Sequence, residues 1–342
     1  MIGKRCHLCG NGERPQLSAR KDYVCIDVYE TVDRAQMVNQ LLMSFDTEDF
    51  ENARSVEALH FILRLLHKYS LRSLFFLTGH FAEKLRFFPE IIDLLQSHEI
   101  GYHSTCHSIR PNIFEYTDVK SYQDAYKVSL KRETSHINSC TGDVEGKGGI
   151  EVLRDIFPRK KVEAFRAPGF SWSPPHLEAL ASLGIKYDFS TNLSSIPVCY
   201  KEITFYPPPT LIDWRDTFSY YQRLLRSVLS SEVTILDFHP DLFVNKAHWD
   251  LFFPNHAPQK SMMQTRVLLL KFEALLNTIR LLRNCKLTEA TPRLAKPEGE
   301  LDVSRINIDD VFKEIALWPA TQFNYTPRHL RSHLQEYFCC NH

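Results

Sequence analysis

From about residue 40 to residue 282, short apolar runs alternate with helical patterns, and this alternation limits the fold more than any other feature of the chain. Residues 40–45 read as a buried strand. Residues 53–68 place Val56, Leu59, Leu63 and Leu66 on one helical face. Strands follow at 72–77 and 100–103, with a helix at 89–97 opened by Pro89 between them. The rhythm continues through a polar helix at 119–139, a strand at 164–170 and a helix at 175–182 stopped by Gly184. Short strands at 187–191, 203–206 and 211–214, a helix at 218–230, a strand at 233–238 and a long helix at 263–282 complete it. Strands separated by helices pair in parallel through right-handed crossovers. Seven or eight such units favour a barrel over an open sheet, so the predicted class is an α/β barrel.

At 342 residues the chain can bury a large core and still carry appendages. Three parts are expected: an N-terminal segment over 1–38, the barrel over 39–284 and a helical extension over 285–342. The extension starts loop-like over 285–304, around Pro292 and Pro297. One amphipathic helix follows with Ile308, Val311, Phe312 and Ile315. A second, opened by Thr326-Pro327, carries Leu330, Leu334, Tyr337 and Phe338. These faces would pack on the barrel or on a second copy in a homo-oligomer. The four glycines from Gly142 to Gly149 lack the Gly-Lys-Ser/Thr ending of a phosphate loop, and read instead as a mobile loop over the site.

The charges balance, 41 basic against 41 acidic, which points away from nucleic acid and from anionic membranes as partners. No apolar stretch reaches the roughly 20 residues of a membrane span. The opening Met1-Ile2-Gly3-Lys4-Arg5-Cys6 lacks an apolar signal core, and nine cysteines is an odd number. Both lead to the expectation of a cytoplasmic protein with reduced thiols. Cys6, Cys9 and Cys25 resemble a zinc ribbon without its second pair, a candidate for a structural zinc.

The chemistry gathers in two short segments. Phe45-Asp46-Thr47-Glu48-Asp49 supplies hard carboxylate oxygens, and His103-Ser104-Thr105-Cys106-His107 supplies two imidazoles four residues apart. Two histidines and one carboxylate from the 46–49 run make three protein ligands, with a position left open for water. That set suits Zn²⁺, and Co²⁺ or Ni²⁺ would be accepted by it as well. A second carboxylate then remains as a base. Asp46 ends an apolar strand, where a carboxylate is costly unless paired. Capping of the helix from residue 53 suits Asp49 or Asn52 better. Arg166 also sits at a strand end and would pair with Asp46, either to orient it or as a plain salt bridge. His239 ends the strand at 233–238, and opposite a metal site it becomes a general acid.

Read in order, these segments resemble the NodB-type polysaccharide deacetylases of carbohydrate esterase family 4. Five ordered motifs match across about residues 40–282: Ser44-Phe45-Asp46-Thr47-Glu48-Asp49, His103-Ser104-Thr105-Cys106-His107, a modified Arg166-Ala167-Pro168-Gly169-Phe170, Asp213-Trp214, and Leu236-Asp237-Phe238-His239. The resemblance implies a distorted (β/α)7 barrel. It makes Asp46 the base, with His103 and His107 as metal ligands. Glu48 is preferred as third ligand, because the family has Asp-x-Asp and Asp-x-Glu variants, and Asp49 is the alternative. Arg166 would orient Asp46, Asp213 would tune His239, and Trp214 would line the acetyl pocket. Phe170 and Trp172 would offer apolar faces to a sugar ring.

The activity implied is metal-dependent hydrolysis of the N-acetyl amide of an amino sugar in a polysaccharide or glycan precursor. A deformylase or another non-peptide amidohydrolase is the neighbouring reading, and a non-catalytic carbohydrate-binding scaffold the reading from another class. The 108–163 insertion would shape the substrate pocket.

Overall fold

β1, Asn39–Thr47, is an interior strand of the sheet, and its alternation shows how the fold is built. Leu41, Met43 and Phe45 enter a core shared with Val56, Leu59 and Phe272, which come from helices. Leu42 points the other way, into a cluster with Leu74, Phe76 and Ile235 from other strands and Phe189 just past the strand Tyr187–Asp188. Side chains alternate along a strand, so Ser44 and Asp46 share the second face with Leu42. Phe45 ties the helix side together, stacked on Phe75 at 4.6 Å and Phe238 at 5.0 Å, with Phe272 edge-on at 6.1 Å.

The computed structural model describes residues 39–49, 52–105, 122–137, 144–170, 172, 174–190, 194–211, 222, 233–246, 258–281, 285–287 and 296–301. After β1 come α1 (Ala53–Lys68), β2 (Leu74–Leu77), α2 (Gly79–Leu85), α3 (Pro89–Leu95) and β3 (Glu99–Tyr102). Next are α4 (Tyr122–Thr134), β4 (Ser135–Ile137), β5 (Val144–Lys147), α5 (Gly149–Ile156), β6 (Ala164–Phe165) and α6 (Pro174–Ser182). Then follow β7 (Tyr187–Asp188), β8 (Val198–Tyr200), β9 (Ile203–Phe205), β10 (Thr210–Leu211), β11 (Val233–Phe238), α7 (Met262–Leu281) and β12 (Cys285–Leu287).

The sheet order is β10-β11-β1-β2-β3-β6-β7-β9-β8, with β12 also paired to β1. Every pair in it is parallel except β8 with β9. This curled mixed sheet forms a half-barrel flanked by helices. A parallel sheet places all its strand ends of one kind at one rim, and that rim collects the reactive residues. Among the described residues no helix is long and apolar enough to cross a membrane.

Local chemistry explains the helix edges. Asn52 caps α1, its side chain accepting from Arg54 N at 3.0 Å. Val56, Leu59, Leu63 and Leu66 are then at most 2% exposed. Each such side chain contributes about 1.5–3 kcal/mol of apolar burial. Thr78 caps α2 by accepting from Phe81 N at 3.2 Å, which makes a helix where the apolar pattern alone shows none.

Several expectations give way. The strand at 164–170 stops at Phe165, because Pro168 has no N–H for a ladder and Gly169 and Phe170 turn to φ 59° and 55°. From Val144 on, the glycine segment read as a mobile loop over the site is regular structure: Val144–Lys147 pairs with β4, and α5 starts at Gly149. The loop-like 285–304 region contains β12, and Gly299 and Leu301 bond to Cys199 at 2.7 and 2.6 Å along the edge of β8. Leu301 is buried there. The N-terminal cysteines, the C-terminal helices and, but for residue 222, the helix expected at 218–230 lie outside the described residues.

Candidate active site at the carboxyl rim of the sheet

Asp46 is the second-last residue of β1, His103 follows β3, Arg166 follows β6, Asp237 is the second-last residue of β11, and His239 follows it. Arg166 is the hub. Its Nη1 donates to Asp46 Oδ1 at 2.7 Å and to Asp237 Oδ1 at 2.5 Å, and its Nη2 donates to Ser44 Oγ at 2.8 Å. Its guanidinium also lies 4.4 Å from the centre of the Phe76 ring. The side chains of Arg166 and Asp237 are fully buried, and that of Asp46 is 4% exposed. Burial opposes the charge on Arg166, but Asp237 and Asp46 outweigh it and hold the guanidinium above its usual range.

His239 faces both carboxylates, with Nε2 3.8 Å from Asp46 Oδ2 and Nδ1 3.9 Å from Asp237 Oδ2. Burial works against its proton, but the charges of Asp237, Glu48, Asp46 and Asp241 prevail and push it up to about 9. Asp237 is pushed up to about 6, by burial first; Asp46 adds to the rise and Arg166 opposes it. Asp237 is the residue of this buried cluster to which motif reading gave no role. The signal was its place two residues before His239, which puts both on one face of a strand.

Beside this centre stands a second pair. His103 Nδ1 is 2.7 Å from the Arg166 carbonyl oxygen, which can only accept, so Nδ1 carries a proton. Nε2 lies 3.0 Å from Glu48 Oε2. With Nδ1 protonated, neutral His103 would aim a lone pair at a carboxylate, and a cation or a further proton resolves that clash. Without a metal ion, burial disfavours the second proton, yet Asp46 and Glu48 raise the His103 pKa. A carboxylate facing an imidazole whose other nitrogen is held by a carbonyl has the form of a metal-ligand pair. These residues fit the divalent ion that the ligand set called for.

Asp49 is engaged elsewhere. It accepts from Asn52 N at 3.0 Å, Ser55 Oγ at 2.5 Å and Asn245 Nδ2 at 3.0 Å, and so organises the head of α1. Of the two acidic candidates, Glu48 is the one near His103. Asp46, Asp237 and His239 also place ligand-capable atoms within 4.8 Å of one another, a group that could hold a metal ion. Arg166 already binds an oxygen of both carboxylates there, which makes the trio better suited to moving protons.

His107, Asp213 and Trp214 lie outside the described residues. Phe170 is half-buried at the end of the Pro168–Phe170 turn and keeps part of its ring accessible. Trp172 does not present a face to a sugar: it is 8% exposed, and its ring packs 5.3 Å from that of Phe205 in the core.

Residues 35–187 match the family model for polysaccharide deacetylase. No curated protein sequence matches the chain. A 4-alpha-glucanotransferase from Thermococcus litoralis aligns with a TM-score of 0.51 at 14% identity, over 77% of this chain and 41% of that one, and shows a shared fold alone. A CE4 esterase from Streptococcus mutans aligns at 0.43 and 14% identity, over 72% and 85% of the two chains. A CE4-family pseudoenzyme from Bacillus anthracis aligns at 0.42 and 18% identity, over 77% and 67%. The matched stretch contains Asp46, Glu48, His103 and Arg166, so these rim residues lie within the part of the chain that is similar to polysaccharide deacetylases.

Proposed function

We propose that the chain is a metal-dependent deacetylase that hydrolyses the N-acetyl amide of an amino sugar in a polysaccharide or glycan precursor. The observation that carries this reading is the juxtaposition of two pairs: Glu48 Oε2 3.0 Å from His103 Nε2, and Asp46 Oδ2 3.8 Å from His239 Nε2. Glu48 and His103, with His107, would hold the divalent ion, Zn²⁺ before Co²⁺ or Ni²⁺. Bound there, the ion supplies a water of lowered pKa and polarises the amide carbonyl.

The rest is done by the chain. Arg166 fixes Asp46 through Oδ1, which leaves Oδ2 to take a proton from the attacking water. His239, protonated at neutral pH because of the carboxylates around it, gives a proton to the nitrogen as the C–N bond breaks. Water oxygen joins the acyl carbon, and the products are acetate and a free amine. We assign the tuning of His239 to Asp237, beside the role the resemblance gives Asp213. The Phe170 ring offers an apolar face to the sugar in this reading, and the resemblance would give Trp214 the acetyl pocket.

The test is hydrolysis of a panel of N-acetylated and N-formylated sugars by metal-stripped protein with Zn²⁺, Co²⁺ or Ni²⁺ restored. Acetate release that needs metal and is lost in Asp46→Asn supports the proposal. Formate in its place makes the chain a deformylase, and no release on any substrate with the site loaded overturns the hydrolase reading.

A further inference from the structure

The turn after β3 carries His103, and its backbone is unusual. Ser104 has φ 58°, a left-handed conformation that a residue with a side chain adopts where its surroundings impose it. Those surroundings are on hand. Gly79 N and His80 N donate to the carbonyls of Ser104 and Thr105 at 3.0 and 2.9 Å, and Gly149 N donates to Thr105 Oγ1 at 3.2 Å. Ser104 Oγ donates to Glu133 Oε1 at 3.1 Å.

Glu133, on α4, is 1% exposed. It also accepts from the Tyr102 hydroxyl and lies 2.7 Å from His176 Nε2 on α6. One buried carboxylate therefore joins residues on both sides of His103 to two helices. The packing is close enough to require glycine. A Cβ on Gly148 would stand 2.1 Å from the Glu133 carbonyl oxygen, and one on Gly149 would stand 2.9 Å from both Thr105 Cα and the Tyr102 hydroxyl.

We propose that Glu133 is a positioning residue for the metal site: its carboxylate clamps Tyr102 and Ser104, and so sets His103 against Glu48. The bland alternative is a polar network that merely fills the space between α4, α6 and the sheet. Against it stands the target of the bonds, which flank His103 on either side and hold a strained residue next to it. The inference rests on the metal reading of Glu48, His103 and His107.

The test measures Co²⁺ affinity by chelator competition, and the visible Co²⁺ spectrum, on the full chain. The variants are Glu133→Gln and Ser104→Gly, with His103→Ala as control. Glu133→Gln should bind Co²⁺ about 10-fold more weakly and show a shifted visible band, the low end of the loss for a ligand's direct hydrogen-bond partner, because Glu133 acts through the neighbours of His103. Ser104→Gly loses the hydroxyl clamp but takes φ 58° freely. It should keep its thermal midpoint while its Co²⁺ affinity falls, a split that a space-filling role cannot produce. It decides the matter if Glu133→Gln fails to fold. Wild-type affinity and spectrum in the folded variants would overturn the role of Glu133. Equal Co²⁺ binding by wild type and His103→Ala would overturn the metal reading itself, and the inference with it.

Discussion

Replacing Arg166 with methionine should cost more than any other single substitution at the rim. The methionine keeps an apolar stem in the site but removes the guanidinium and its contact with the Phe76 ring. Three buried bonds go at once, to Asp46 at 2.7 Å, Asp237 at 2.5 Å and Ser44 at 2.8 Å. The carboxylates left behind are at most 4% exposed and lose their shared counter-charge. Removing one partner of a buried ion pair costs about 3–5 kcal/mol, because the other is stranded away from water. Two are stranded here, with His239 as the remaining nearby cation, so the upper end of that range applies. At that upper end, about 5 kcal/mol, the loss is nearly four orders of magnitude in the folding equilibrium. Urea unfolding gives it as a lowered midpoint at unchanged slope. A second substitution, Asp237→Asn, made in the Arg166→Met background, should return about 1–3 kcal/mol, since it removes a buried charge that has lost its strongest partner. A cost under about 1 kcal/mol for Arg166→Met would refute the reasoning. So would a double variant whose losses simply add.

Further outcomes follow from other parts of the structure. Glu48→Gln should abolish metal binding at the rim with little change in stability, whereas Asp49→Asn should keep the metal and lose about 1–3 kcal/mol, because Asp49 organises Asn52, Ser55 and Asn245; isothermal titration and urea unfolding separate the two. His239 in metal-free protein should titrate near pH 9 by NMR. Its folded pKa lies above its usual value, so its contribution to stability is complete below about pH 6.5 and fades as pH rises through about 9. His98 behaves in the opposite sense: buried, with Ser73 N donating to its Nδ1 at 3.2 Å, it is held down to about 3 by burial and by the nearby charges of Lys160, Arg72 and His67. Its share of stability is present above about pH 6.5 and is lost on acidification, by up to about 1.4 kcal/mol per pH unit until about pH 3. His98→Gln should flatten that slope in acid unfolding curves.

Much of this was legible in the chain. The spacing of Val56, Leu59, Leu63 and Leu66 and the cap at Asn52 give α1 its ends, and the run Val233–Phe238, apolar but for Thr234 and Asp237, gives β11. Both are fully local signals. The elements that escaped were set by tertiary contact. The helix α2 is seven residues long and opens on glycine, so its pattern is too short to read, and the cap from Thr78 was the available clue. The glycines before α5 look like a loop in sequence; in space they let α5 press on the turn beyond His103. Within the site, the Asp46–Arg166 pair was expected from two strand ends and is present. Asp237 was hidden because it sits inside an apolar strand, where a motif ending in His239 draws attention past it. Trp172 looked like a sugar platform, since an aromatic residue near a motif says nothing about which way the core takes its ring.

The central claim is that ion binding and proton transfer are divided between Glu48–His103–His107 and Asp46–His239. The most direct test counts bound Zn²⁺ per chain, together with turnover, in wild type, His103→Ala and Asp46→Asn. The account predicts one ion fewer in His103→Ala than in wild type, and in Asp46→Asn a full ion count with turnover lost. Equal ion counts in wild type and His103→Ala, or an Asp46→Asn variant that loses the ion along with the activity, would contradict it.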